Sequence, residues 1–203
     1  MWPLSPILSI CLFKSSRNLM QFDHFYSDPH YGHNNIIKYC NRPFTDAADM
    51  NERLIDIYNY RVGKHDAVLW LGDCFFLDGD AKTVLSHLNG HKWLLRGNHD
   101  KRISDHKFLQ AGFDAVFSQH FAAYMEDLPV RFSHYPYEGY SEDKRYPDRR
   151  PPKEPGVVLI HGHTHEPHKL TPKGTVHVGV DAWDYGPAPF EDVYALVKQL
   201  AGV

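Results

Sequence analysis

The sequence contains little of what marks disulfide-rich, membrane-spanning or strongly nucleic-acid-binding proteins. It has three cysteines in 203 residues and no Cys-x-x-Cys pair, so it predicts neither a disulfide framework nor a thiolate zinc site. The apolar run at residues 7–13 is far shorter than the roughly 20 residues that cross a bilayer. The net charge of −3 provides no global basic field to hold nucleic acid or an anionic membrane. These absences favour a soluble protein of the reducing cytoplasm with no membrane partner.

The beginning of the chain differs from the rest. Lys14 and Arg17 follow the apolar run, whereas a secretory signal carries its basic segment before it. We expect residues 1–19 to be a poorly ordered extension, of the kind that an upstream start codon would add ahead of Met20. Residues 20–203 then form a single domain, which is large enough for a substantial core.

Histidine is unusually frequent, with 15 residues dispersed along the chain, which excludes a terminal tag. Five of them follow short apolar runs of the kind that predicts buried strands. They are His30, His99, His134, His163 and His165. In an open α/β sheet, reactive groups collect where the strands end. Each of five runs leads into Asp, Asn or His, so together they predict one metal centre assembled from across the chain. The runs lie at residues 22–27, 68–71, 93–96, 130–133 and 157–161.

Helical patterns alternate with these strands in the first half of the chain. They predict a mainly parallel sheet there, followed by a more antiparallel second half. Thr45 is the expected N-cap of the longest helix, and residues 190–200 fit a closing strand or a closing helix. The predicted helices cover residues 34–40, 45–62, 81–89 and 101–111, and the predicted hairpin and half-buried strand cover residues 120–134 and 175–180.

One irregular segment, residues 137–155, concentrates basic residues among prolines and tyrosines. Two interpretations stay open for it. It is either a solvated surface loop or a lid whose arginines contact a substrate phosphate, since guanidinium groups pair well with phosphate. Its basic residues are Lys144, Arg145, Arg149, Arg150 and Lys153.

The polar residues at the strand ends form an ordered set of motifs. They are Asp-x-His at 28–30, Gly-Asp at 72–73, Gly-Asn-His-Asp at 97–100, a lone His134 and Gly-His-x-His at 162–165. This order resembles that of the calcineurin-like metallophosphoesterases, and the resemblance covers residues 28–165. It implies an α/β fold, a four-layer α/β/β/α sandwich of two packed mixed sheets, with the metals at the strand ends.

The resemblance also implies a binuclear site. One metal ion would be bound by Asp28, His30 and His165, the other by Asn98, His134 and His163, and Asp73 would bridge both. A carboxylate suits the bridging position because its two oxygens carry enough charge to lie between two cations. The ligand set contains no thiolate, which favours Mn²⁺, Fe²⁺ or Zn²⁺, and the family often uses Mn²⁺.

The same resemblance assigns a reaction. A hydroxide shared by the two metals would attack the phosphorus of a small phosphoester, with nucleotides among the candidate substrates. His99 would protonate the leaving group. Asp100 would orient His99 and keep it cationic, because an adjacent carboxylate favours the charged imidazole. We expect His33 to face the substrate or to support a ligand, and Cys74 to be a small buried side chain.

Two departures count against a protein phosphatase. The Gly72-Asp73 motif continues with Cys-Phe-Phe instead of Asp-Arg-Gly, and Asp100 occupies a position where those phosphatases have Glu. Both favour a small phosphodiesterase or phosphomonoesterase. Two alternatives remain: a non-catalytic scaffold of the same fold, and a nuclease whose basic segment at 137–155 binds nucleic acid. The scaffold is disfavoured because every ligand is present, and the nuclease because no wider basic surface exists.

Overall fold

The computed structural model describes residues 21–76, 78–137 and 145–203, which form a mixed α/β fold with two sheets. The predicted extension at residues 1–19 lies outside this range. The strands are β1 (His24–Tyr26), β2 (Ala67–Trp70), β3 (His91–Leu95), β4 (Ala115–Phe117), β5 (Phe121–Met125), β6 (Leu128–Ser133), β7 (Val158–His161), β8 (Val176–His177) and β9 (Ala188–Pro189). The helices are α1 (Asn34–Tyr39), α2 (Ala47–Arg61), α3 (Asp78–His87), α4 (Asp105–Ala111) and α5 (Phe190–Ala201).

The first sheet has the strand order β4-β3-β2-β1-β9. Strands β1 to β4 are parallel, and only β9 joins antiparallel. The predicted parallel sheet is therefore confirmed. The carboxyl ends of β1, β2 and β3 consequently lie side by side, where the first three motifs begin.

The second sheet has the order β5-β6-β7-β8. The predicted hairpin of β5 and β6 is confirmed, and the antiparallel pairs β5–β6 and β1–β9 both involve strands of the second half, as expected. The rest of the second sheet differs from this pattern. Strands β6, β7 and β8 are parallel to one another, because long connections return the chain to the same edge before each strand begins. This direction places the carboxyl ends of β6 and β7 together as well.

The first sheet is buried on both faces, which explains its continuous apolar runs. Successive residues of a strand point to opposite faces: Tyr26 packs with the helical layer of α1 to α4, whereas Phe25 packs towards the second sheet. The ring centroids of Phe25 and Phe132 lie 5.3 Å apart, which joins the two sheets. Cys74 is fully buried in the helical cluster, as predicted.

Several element boundaries differ from prediction. The helix predicted at 101–111 is a 3₁₀ turn, His99–Arg102, followed by α4, because the Ser104 side chain accepts from the Lys107 N–H and caps a new helix. The strand predicted at 175–180 contains only β8, and a 3₁₀ turn, Val180–Ala182, follows it. The segment at 190–200 is the helix α5.

The N-cap of α2 is Asp46, so the prediction of Thr45 is wrong by one residue. The Asp46 carboxylate accepts from the backbone N–H groups of Ala48 and Asp49, at 2.9 Å each. Thr45 instead donates its N–H and hydroxyl to the Asp49 carboxylate, at 2.8 and 3.2 Å. A carboxylate at the N-cap satisfies two free amides and also suits the helix dipole.

Within the part of the chain that is described, no helix combines the length and the apolar character needed to cross a bilayer.

Substitution of the α2 cap tests this assignment. We expect Asp46→Ala to lower the free energy of unfolding by roughly 1 kcal/mol, because two helix amides lose their acceptor. Thr45→Ala should change it by less than about 0.5 kcal/mol, as an exposed contact does. Urea unfolding followed by circular dichroism measures both, and a larger loss for Thr45→Ala would return the cap to Thr45.

Candidate metal centre

All seven predicted ligands lie together at the carboxyl ends of β1, β2, β3, β6 and β7. They form two groups that meet at one carboxylate. The first group contains Asp28, His30 and His165, and the second contains Asp73, His134 and His163; within each group the ligand atoms lie within 4.8 Å of one another.

The first group leaves buried polar atoms facing one another. Asp28 and His30 are almost fully buried. One Asp28 oxygen, Oδ2, accepts from the His163 N–H at 2.8 Å. Among the described residues, no hydrogen-bond partner exists for the other oxygen, Oδ1, or for either ring nitrogen of His30. Unpaired buried groups of this kind are costly, and a cation between them would satisfy the carboxylate oxygen and one nitrogen of His30.

The second group surrounds the side chain of His134, which is fully buried. Its Nδ1–H donates to the Leu71 carbonyl at 2.7 Å, so Nε2 carries the lone pair. That atom lies 3.3 Å from Asn98 Oδ1, 3.1 Å from His163 Nδ1 and 3.4 Å from Asp73 Oδ2. The convergence of these lone-pair-bearing atoms fits a metal ion with nitrogen and oxygen ligands.

Asp73 lies between the two groups. Its Oδ2 atom is 3.4 Å from Nε2 of His134 and 3.8 Å from Nε2 of His30. Its Oδ1 atom accepts from the His99 N–H at 2.8 Å. Burial opposes the charged form of this carboxyl. In the metal-free site, where Nε2 of His134 takes up a proton, the charge of that imidazolium and its hydrogen bond outweigh burial and hold the pKa of Asp73 below its usual range. Asp73 is therefore placed to contact an ion in either group.

The backbone at the site is strained. Five of the seven residues have positive φ angles between 53° and 71°: Asp28, His30, Asp73, His163 and His165. Residues with a side chain seldom adopt this left-handed region, which costs of the order of 1–3 kcal/mol each, and such strain concentrates at functional sites. The loops thus hold these side chains in place at a conformational cost.

The motif glycines permit the close approach of these loops. A Cβ on Gly162 would lie 2.0 Å from Ser27 Oγ and 2.4 Å from Asp28 Oδ2, and a Cβ on Gly97 would lie 2.2 Å from Asp73 Oδ1. No side chain fits at these distances. The glycines of the Gly-Asn-His-Asp and Gly-His-x-His motifs are thus required by packing against the carboxylates.

His165 is held by two residues that the sequence did not indicate. Its Nδ1–H donates to Asp181 at 2.8 Å, which leaves Nε2 for the first group. Arg42 donates to both oxygens of Asp181 at 2.8 Å and to the backbone carbonyls of Asp28 and Pro29 at 2.9 Å. Neither residue belongs to a motif, and they are 139 positions apart, so no spacing could reveal them.

The hydrogen bond to Asp181 also affects the charge of the imidazole. Burial disfavours the protonated form, but the hydrogen bonds to Asp181 and Cys40 and the charge of Asp28 outweigh it and raise the pKa of His165 to about 10. The same contact lowers the pKa of Asp181 below its usual range, against the effect of burial. An ion at Nε2 would replace this proton as the positive charge of the pair.

Asp100, predicted to orient His99, makes its hydrogen bonds to the backbone of two loops. Its side chain is fully buried and accepts from the backbone N–H groups of Asp73 and Gly97, both at 2.8 Å, and of Cys74 at 3.0 Å. Burial and the neighbouring Asp73 charge raise the pKa of Asp100 to about 6. The carboxylate therefore ties the loop after β2 to the loop after β3.

His99 lies at the open side of the site. Its side chain is 39% exposed, and its Nε2 atom is 3.9 Å from Asp73 Oδ2. The His99 ring centroid is 4.9 Å from that of His30. It is therefore close enough to reach a group bound between the ligands, yet open to solvent on its other side.

Two arginines of the basic segment after β6, Arg149 and Arg150, lie in different environments. Arg149 lines a cavity of about 410 Å³ together with Arg96 and Lys101, and an adjoining smaller cavity reaches His134 and Tyr135. Arg150, by contrast, is buried and donates to the Tyr137 carbonyl at 3.2 Å. Residues 138–144, with the predicted Lys144, lie outside the described range.

Comparison with known proteins gives relatives without an assigned activity. The chain is 31% identical over 183 residues to the uncharacterized protein MJ1445 of Methanocaldococcus jannaschii, covering 85% of this chain and 89% of that protein. It is 33% identical over 184 residues to the gene 66 protein of Mycobacterium phage L5, covering 78% and 86%. The crystal structure of AQ665, a protein of unknown function from Aquifex aeolicus, matches with a TM-score of 0.64 and 25% identity over 85% of this chain and 97% of that one. No family model matches.

The contribution of Asp100 to joining the two loops can be tested by removing its charge. Asp100→Asn leaves one acceptor oxygen for three amides, and we expect it to lower the free energy of unfolding by about 2 kcal/mol or more. His99→Asn, at a half-exposed neighbouring side chain, should change it by less than about 0.5 kcal/mol. Thermal and urea unfolding of the metal-free proteins measure both. Equal stability of Asp100→Asn and wild type would argue against the loop-tying role.

Proposed function

Because the chain belongs to the protein family of MJ1445 and the phage L5 gene 66 protein, whose names state no activity, we propose its function from the site. The protein is a binuclear-metal-dependent phosphoesterase that hydrolyses a small phosphodiester or phosphomonoester. One observation carries the proposal: two buried groups of Asp, Asn and His atoms share the carboxylate of Asp73. In the first group, Asp28 Oδ1 and both ring nitrogens of His30 are buried without a hydrogen-bond partner among the described residues, which is costly unless a cation binds there.

The donor atoms fit two divalent cations. Asp28, His30 and His165 would hold one ion, Asn98, His134 and His163 the other, and Asp73 both. The nitrogen-rich set without thiolate suits Mn²⁺, with Fe²⁺ and Zn²⁺ as alternatives. A pair of such ions would supply Lewis acidity and would lower the pKa of bound water, so that hydroxide is available at neutral pH.

The remaining chemistry belongs to the side chains. Two carboxylates, Asp28 and Asp73, face two divalent cations, so the loaded site keeps a positive charge that attracts a phosphate. His99 lies on the open side, where its ring can give a proton to the departing alcohol or phenol. The Arg42–Asp181 pair holds His165 in the tautomer that leaves Nε2 free.

We propose further that the fold is the four-layer sandwich of the calcineurin-like metallophosphoesterases. Two sheets packed through Phe25 and Phe132, with helices α1 to α4 on the outer face of the first, support this arrangement. So does the position of every motif at a strand end. Two departures from the protein phosphatases, the Cys-Phe-Phe that follows Asp73 and the aspartate at position 100, favour a phosphodiesterase over a protein phosphatase.

The proposal is tested by loading purified protein with Mn²⁺ after removal of metals by chelator. We expect metal-dependent hydrolysis of bis-p-nitrophenyl phosphate or p-nitrophenyl phosphate, or of a nucleotide from a panel, and loss of it in excess EDTA. Metal content is measured in parallel by mass spectrometry. If protein that holds two ions turns over none of these esters, the non-catalytic scaffold is the better account.

Two substitutions separate metal binding from proton transfer. Asp73→Asn removes the shared charge, so we expect it to lose the metal pair and with it all turnover. His99→Asn should keep both ions but reduce kcat by roughly 10²- to 10⁴-fold, the usual effect of losing a general acid.

His168 supplies the matched histidine control, since it is exposed and lies outside both groups. His168→Asn should behave as wild type in both metal content and rate. Equal rates for wild type and His99→Asn would remove His99 from the reaction, whereas two bound ions in Asp73→Asn would remove the bridging role.

A further inference from the structure

Three aromatic side chains extend from His99 away from the metal ligands. The ring centroid of His33 lies 6.1 Å from that of His99, 4.0 Å from that of Phe76 and 6.4 Å from that of Tyr39. His33, Tyr39 and Phe76 together are called the aromatic shelf. The sequence predicts that His33 faces the substrate or supports a ligand, whereas Tyr39 and Phe76 are not among the predicted site residues.

The outer members of the shelf are exposed to solvent although they are aromatic. Tyr39 is 75% exposed and Phe76 is 36% exposed, while His33 beneath them is 8% exposed. Exposed aromatic side chains grouped beside a reactive site are typical of ligand-binding surfaces. In addition, His33 Nδ1 is buried and has no hydrogen-bond partner within the described ranges.

The backbone fixes the shelf relative to the metal ligands. The Phe76 N–H donates to the Tyr31 carbonyl, and the Tyr31 N–H donates to the Cys74 carbonyl, each at 2.9 Å. The segment after Asp73 therefore runs beside the segment after His30. The His33 N–H in turn donates to the His30 carbonyl at 3.1 Å. His33 and Phe76 are thus tied through the backbone to the segments that carry His30 and Asp73.

We propose that the aromatic shelf binds a planar aromatic part of the leaving group, and that this part is a nucleobase. This inference rests on the proposed phosphoesterase function, in which the leaving group departs on the His99 side. Tyr39 and Phe76 carry no charge, so they suit the face of a base better than a second phosphate. Stacking of this kind accepts any base, because every base has a π-face.

Binding of two phosphomonoesters that differ only by the base in their leaving group tests the shelf. Adenosine 5′-monophosphate and ribose 5-phosphate are titrated calorimetrically into the Mn²⁺-loaded protein, with inorganic phosphate as reference. We expect the nucleotide to bind roughly 5- to 100-fold more tightly than ribose 5-phosphate, the range that one stacked base contributes. Phe76→Ala should remove most of this ratio, and Phe76→Tyr should keep it.

Controls separate the shelf from general effects. Tyr124 is 49% exposed on β5, outside the shelf, so Tyr124→Ala should keep the wild-type ratio. Tyr39→Ala removes an exposed ring and should lower the ratio even if Phe76→Ala fails to fold.

The outcomes distinguish the two proposals. Equal affinities of wild type for the nucleotide and for ribose 5-phosphate, with turnover intact, overturn the shelf and leave the phosphoesterase standing. A ratio that survives both Phe76→Ala and Tyr39→Ala also overturns it. If the loaded protein neither binds inorganic phosphate nor hydrolyses any ester, both proposals fail together.

Discussion

The two groups of candidate ligands depend on the buried carboxylate of Asp73. It lies within 4 Å of imidazoles from both groups, so its position sets the distance between any two bound ions. That position is maintained by Asp100, whose side chain accepts the Asp73 N–H together with the amides of Gly97 and Cys74. One buried acid thus fixes the loop of another, and the glycines allow the loops to approach closely enough for it.

The site combines costs that a purely structural cluster would not retain. Five ligands adopt left-handed backbone conformations, and the first group leaves buried nitrogen and oxygen atoms unpaired among the described residues. Proteins tolerate such costs where a ligand offsets them. Other residues orient the imidazoles of the site. Asp181, held by Arg42, determines the orientation of His165, and the Leu71 carbonyl determines that of His134.

Strand positions and motif residues could be predicted because both depend on local pattern. The runs before Asp28, Asp73 and His163 are short and apolar, and their length, their aromatic and β-branched residues and the Gly and Asp that follow them identify them as strands. Asp46 and Ser104 show where local reasoning fails, since competing polar residues stand next to each other and hydrogen-bond geometry decides between them. The contacts of Asp100 with the Asp73 and Cys74 amides, and of Arg42 with Asp181, could not be predicted, because these partners lie 26 to 139 positions apart in the sequence.

The hydrogen bond between the His163 N–H and Asp28 has a consequence for how the protein matures. The two residues are 135 positions apart, so the first ligand takes its final position only when the last motif has docked against it. Contacts of such long range form late in folding. Uptake of the proposed ions would therefore follow the completion of the chain instead of nucleating its folding, and a truncated or partly folded chain would not compete for the cell's supply of the ion.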